Sequence, residues 1–180
     1  MTLRMIDEAS YQGRTWDAAR LKAAGVQVVA VKATEGVVYT NPDYLWQVGQ
    51  ARDSGAIVMH YHLARYGNSS DEARWFIDHL AARPGDLVML DNEANLIEAL
   101  TPTAASAWTS AFTKEVKKLT GAPAVVQYTS RDPIDRGYLS GVFGKEPLFL
   151  ADPGADPAHP SRCRAGRSRS SSTRRGGMGR

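Results

Sequence analysis

The stretch "AIVMHYHLARYGNSSDEARWFIDHLAARPGDLVMLDNEAN" (residues 56–95) decides the fold. Its first part (56–64) is apolar and rich in β-formers, and reads as a strand. "SSDEARWFIDHLAA" (69–82) then reads as a helix. Ser69 and Glu72 have the spacing of a capping box, and Trp75, Phe76 and Leu80 fall at core-facing helical spacing. "DLVMLDNE" (86–93) is a second apolar run and a second strand. A strand, a helix long enough to cross over and another strand make a parallel βαβ unit.

The same alternation continues in both directions. Strands are expected at 3–7, 26–36, 122–130 and 147–153, and helices at 15–25, 41–55 and 101–121. In the second helix Asn41 is the expected cap, with Pro42 at the first helical position and Gly55 past the end. The pattern predicts an α/β domain: a parallel sheet covered by helices. In such sheets functional groups collect at the carboxyl ends of the strands. Polar residues recur there: Asp7, Lys32 to Glu35, His60 to His62, Asp91 with Glu93, Gln127 with Tyr128, and Asp152. If the sheet curls into a barrel, these ends converge on one mouth.

Asp91 and Glu93 stand out because side chains two apart on a strand share a face. Two carboxyls so placed oppose each other's ionisation. Carboxylates clustered with tyrosines suit glycoside hydrolysis, which needs one protonated acid and a second carboxylate as nucleophile, base or orienter. Glu93 is the expected acid, its proton retained by burial and by ionised Asp91. Other readings stand beside this one. The pair is also compatible with a solvated strand end, and Asp7, Asp91, Glu93 and Asp152 have the hard oxygens of a Mg²⁺ site. The His60/His62 pair reads as packing or hydrogen bonding more readily than as zinc ligation. Tyr39, Tyr44, Trp46 and Tyr61 are candidate sugar-stacking rings, although such rings usually belong to the core.

Length and charge bound the rest. The 180 residues suit one domain, and the single cysteine, Cys163, rules out an internal disulfide framework. Of the 22 basic residues, seven Arg lie in 161–180, which hold no acid; the other 15 face 19 Asp and Glu. The basic balance is therefore a property of the last 20 residues, and the body is mildly acidic. No apolar run reaches 18 residues and no signal peptide is recognisable. The expectation is synthesis in the cytoplasm with no membrane partner and a monomeric state. No metal or other cofactor is expected.

Five segments occur together in order: "MIDEASYQG", "VVAVKATEGVVYTNPDY", "GAIVMHYHLAR", "VMLDNEAN" and "TGAPAVVQYTS". Over about residues 5–157 the chain resembles the glycoside hydrolase family 25 lysozymes, which include fungal, bacterial and phage muramidases. The resemblance implies a flattened TIM-like (β/α) barrel with fewer than eight helices. It implies hydrolysis of the β-1,4 bond between N-acetylmuramic acid and N-acetylglucosamine in bacterial peptidoglycan, acting on the wall in the manner of a phage lysin or reaching it outside the cell by another route. It also implies roles: Glu93 as general acid, Asp91 assisting at the 2-acetamido group, Asp7 as the acid of the first strand, and Glu35, Tyr61, Tyr128 and Asp152 as substrate contacts. Such a pair suggests substrate-assisted retention, an exception to the two-carboxylate rule.

Two departures accompany the resemblance. Phe149 stands where the family usually has Trp. After "ADPGADPAHP" the chain becomes "SRCRAGRSRSSSTRRGGMGR" in place of a last strand. The organisation expected is a catalytic domain over 1–160, missing its last strand, and a disordered Arg/Ser/Gly-rich tail over 161–180. A shifted reading frame would account for that tail. A barrel left open exposes an unpaired edge, which favours lowered stability and leaves a second reading: a wall-binding module that does not cut. Nucleic-acid association through the tail is a third, although the body offers no motif for it.

Overall fold

The computed structural model describes residues 3–151. The chain order is β1 (Met5–Glu8), α1 (Ala18–Ala23), β2 (Val28–Glu35), β3 (Tyr39–Thr40), α2 (Tyr44–Ser54), β4 (Ile57–Leu63), α3 (Ser69–Asp78), β5 (Leu87–Asp91), α4 (Ala94–Ile97), α5 (Pro102–Thr120), β6 (Val126–Ser130), α6 (Arg131–Asp135) and β7 (Leu148–Ala151). The main strands lie in the order β1-β2-β4-β5-β6-β7, all parallel, with the small β3 antiparallel to β2. The sheet is a curled half-barrel. Among the described residues its two outer strands, β1 and β7, do not pair with each other. The expected tail and Asp152 lie outside the described residues.

Each face of the sheet has its own apolar layer. Val29, Val31, Val58, Val88 and Leu90 point outward and pack under the helices with Phe76, Phe112 and Val116. Val28, Ala30, Met59, Tyr61 and Met89 point inward with Met5, Val126, Tyr128 and Phe149 around them. Apolar residues therefore occupy both faces of the central strands, the pattern of a parallel sheet covered on both sides.

The helix ends show local chemistry. Thr101 caps α5 by accepting from Ala104 N at 3.2 Å, and Gly121 ends it with φ 70°. Two expected caps differ. Helix α2 starts at Tyr44, not at Pro42, because Asn41 Oδ1 instead accepts from Asp43 N (3.0 Å) and turns the chain before the helix. Asn68, not Ser69, caps α3, accepting from Ser70 N and Asp71 N. That frees Glu72 from a capping box and turns it into the core, where it is 1% exposed. Trp75, expected in the core, is half-buried against His79, with ring centroids 4.2 Å apart.

Candidate active site

Strand register builds the site in layers. Leu63, Asp91, Tyr128 and Phe149 are successive partners across β4, β5, β6 and β7. One step lower lie Lys32, Tyr61, Met89 and Val126. Asp7 pairs with Ala30 lower still. All point to the concave face, as residues of one parity must when strands pair in register. Asp7, Lys32, Tyr61, Leu63, Met89, Asp91, Tyr128 and Phe149 line a cleft of about 210 Å³ together with Ala9, Tyr11 and Glu93. Of the expected site residues, Asp7, Tyr61, Asp91, Glu93 and Tyr128 meet here.

Asp91 and Glu93 share the cleft in unequal settings. Asp91 ends β5 and is 8% exposed, and its Oδ1 is buried without a hydrogen-bond partner. Burial, then the Glu93 charge, pushes its carboxyl up to about 8, against the opposing pull of Lys32. Glu93 lies beyond the strand as the first residue bounding α4, and it is exposed. The sequence reading expected burial at Glu93; it falls instead on Asp91, because β5 ends at 91 and the chain then leaves the sheet. Tyr61 and Tyr128 are both raised, first by burial and then by nearby carboxylates. Phe149 packs against Tyr128, ring centroids 5.3 Å apart.

Glu35 does not line this cleft. It faces the adjoining groove of about 410 Å³ with Gly36, Tyr39, Arg65 and Asn68. It bridges to Lys32 Nζ at 2.5 Å and accepts from Arg65 Nε at 2.6 Å. Those two cations pull its carboxyl below the ordinary range despite burial. Lys32, which lines the cleft, links it to this groove through its ion pair with Glu35.

The other polar strand ends turn away from the mouth. His60 and His62 point to the helices, since alternation sets them opposite Tyr61. His60 Nδ1 meets Tyr44 Oη at 2.8 Å and His60 Nε2 meets Asp86 Oδ2 at 3.0 Å. His62 Nε2 meets Glu72 Oε2 at 3.0 Å, and His62 Nδ1 meets Thr34 Oγ1 at 2.8 Å. Tyr44 is thus a buried partner of His60 and not a sugar platform. Gln127 also faces outward, donating to Thr113 Oγ1 at 3.2 Å. Among the described residues, no three His, Cys, Asp or Glu side chains form a metal-binding set.

Among the polar cleft residues, Tyr11 carries no periodic signal in the sequence. Tyr11 is 79% exposed at the cleft. It sits on a single helical turn, Ser10–Gln12, whose short length gives no periodic signal. Its polar surroundings directly after the first-strand acid were the available clue.

Arranged so, the cleft can hold a sugar against tyrosines, with the acid pair at the end of β5 and Asp7 lower on β1. The family model for Glycosyl hydrolases family 25 matches residues 6–170, running past residue 157, where the resemblance read from sequence ends. The chain is similar to an N,O-diacetylmuramidase of Chalaropsis sp, 32% identical over 165 residues, covering 84% of this chain and 78% of the relative. It is also similar to an autolytic lysozyme of Clostridium acetobutylicum, 34% identical over 79 residues. That match covers 44% of this chain but only 24% of the clostridial protein. The fold matches the crystal structure of a bacterial lysozyme from Streptomyces coelicolor with a TM-score of 0.76 and 26% identity, covering 84% of this chain and 75% of that one.

Proposed function

Because this chain belongs to glycosyl hydrolase family 25, we propose that its cleft hydrolyses the β-1,4 bond between N-acetylmuramic acid and N-acetylglucosamine in bacterial peptidoglycan. The observation that carries this reading is the unequal carboxyl pair, Asp91 buried and Glu93 exposed, on one wall of a tyrosine-lined cleft.

In the open cleft Asp91 carries a proton, because burial makes its ionisation costly. A bound sugar expels water from Glu93, and the proton passes to that side. Glu93 then gives it to the departing glycosidic oxygen as general acid. Asp91, now ionised, accepts from the substrate's acetamido N–H. That aims the acetamido carbonyl oxygen at the anomeric carbon, and a new C–O bond forms as the glycosidic bond breaks. Water then opens the cyclic intermediate, with Glu93 taking the proton back. Asp7 faces the developing positive charge from the opposite strand, while Tyr61, Tyr128 and Tyr11 hold the rings. Glu35 acts through Lys32, at the junction with the second groove. The site of action is the cell wall.

The test is release of reducing groups from purified peptidoglycan. Wild type is expected to release them and Glu93→Gln is not. Equal release by both discards the assignment of Glu93.

A further inference from the structure

Between the two carboxyl residues lies Asn92, which is 0% exposed. It turns away from the cleft and is held on every side. Its backbone N donates to Tyr128 O at 2.9 Å, and Thr129 Oγ1 donates to its carbonyl at 2.9 Å. Its side-chain Nδ2 faces Gln127 Oε1 (3.3 Å) and the carbonyls of Leu90 and Tyr128 (both 3.4 Å). Its Oδ1 accepts from Tyr66 Oη at 3.2 Å, with Thr109 Oγ1 at 3.4 Å. These contacts are longer than a tight hydrogen bond, apart from the two backbone ones. Tyr66 is therefore the best-placed side-chain donor to the oxygen.

Tyr66 is itself fixed with unusual care. It has φ 59°, the left-handed region that a bulky side chain avoids unless its surroundings impose it. Glu72 imposes it, accepting from Arg65 N at 3.0 Å and Gly67 N at 2.7 Å, one residue on either side. A carboxylate only accepts, so His62 Nε2 donates to Glu72 while its Nδ1 accepts from Thr34. Trp108 completes the clamp, donating to Gly67 O at 2.7 Å and packing edge-on against the Tyr66 ring at 4.8 Å. A strut thus runs from buried His62 and Glu72, through the turn that carries half-buried Tyr66, to buried Asn92. Nothing in the hydrolytic scheme uses these groups, yet their far end stands between its two carboxyls.

We infer that Tyr66 is a positioning residue: through Asn92 it sets the aim of Asp91 and Glu93. The inference rests on the proposed hydrolysis for its kinetic consequence but not for its structural one, so two readouts are needed.

The variant is Tyr66→Phe, which removes one hydroxyl and keeps the ring that Trp108 packs against. The control is Tyr138→Phe, which likewise removes a hydroxyl, here the partner of Arg136 at 3.0 Å; Tyr138 lies in the cluster that the Tyr66 ring also packs against, so the two variants share a packing environment, but its hydroxyl does not reach Asn92. On peptidoglycan fragments, Tyr66→Phe is expected to lower kcat about three- to tenfold with KM within about twofold, since one hydrogen bond to a positioning group is lost. Tyr138→Phe is expected to leave kcat unchanged. By carboxyl NMR titration, Asp91 is expected to move down towards the ordinary carboxylate range in Tyr66→Phe only, as the loosened pair separates and hydrates. If wild type does not cleave peptidoglycan, the proposed function fails, and the titration still tests the strut. An unmoved Asp91 titration, or the same kcat loss in both variants, overturns it. Asn92→Ala is a harsher companion, expected to lower both kcat and the melting temperature.

Discussion

Asp91 and Tyr128 are register partners on adjacent parallel strands, so a nearly buried carboxyl and a half-buried phenol face the same concave surface. Glu93, two residues on, has left the strand and reaches that surface from the loop. Backbone pairing thus holds one acid firmly, and a short turn holds the other more openly. This asymmetry separates the behaviour expected of the two carboxyls.

Glu93→Gln is expected to lower muramidase activity by roughly 10²–10⁴-fold, the usual worth of a general acid. Its melting temperature should match wild type, because an exposed side chain contributes little to stability. Paired turbidity and thermal-melt assays check this, and a large melting loss would mean that Glu93 is structural.

Asp91→Asn is expected to change the pH dependence of stability. The folded carboxyl is raised to about 8 from an ordinary value near 3.8. Its favourable contribution is complete below the unfolded value and is lost as pH rises through the folded one. The variant, which cannot ionise, should therefore gain melting temperature relative to wild type between about pH 4 and pH 8. A constant difference over that window would show that Asp91 titrates normally.

The buried histidines work in the opposite sense. Burial lowers both His60 and His62, outweighing Asp86 and Glu72. A depressed folded value gives stability that is present above about pH 6.5 and is lost as pH falls through the folded value. His62→Gln is expected to flatten that acid-side fall in urea unfolding measured from pH 7 to pH 4. An unchanged slope would show that His62 is not the group being protonated.

How much of this was legible beforehand follows from which signals are local. The βαβ alternation and the gathering of Asp7, Asp91 and Glu93 at the strand ends could be read from period and spacing, whereas the roles of Tyr61 and Tyr128 came from the family resemblance. The short helices α4 and α6 could not, being four and five residues long with no room for a repeat. Glu72 fitted a capping box in sequence but is claimed by His62, a partner ten residues away in sequence that only folding brings near. Burial of Asp91 in place of Glu93 depended on where β5 ends, and strand boundaries are the least local feature of all.

Glu72→Ala is expected to cost about 1–3 kcal/mol in urea unfolding, because buried His62 and two part-buried backbone N–H groups lose their acceptor. A cost under about 1 kcal/mol would show that the turn at Tyr66 holds without it.

The most direct measurement is mass analysis of the new ends after digestion of purified peptidoglycan. Cleavage as proposed leaves N-acetylmuramic acid at the reducing end, and none appears with Glu93→Gln. Reducing N-acetylglucosamine, or intact glycan strands after digestion with folded wild type, would contradict the account.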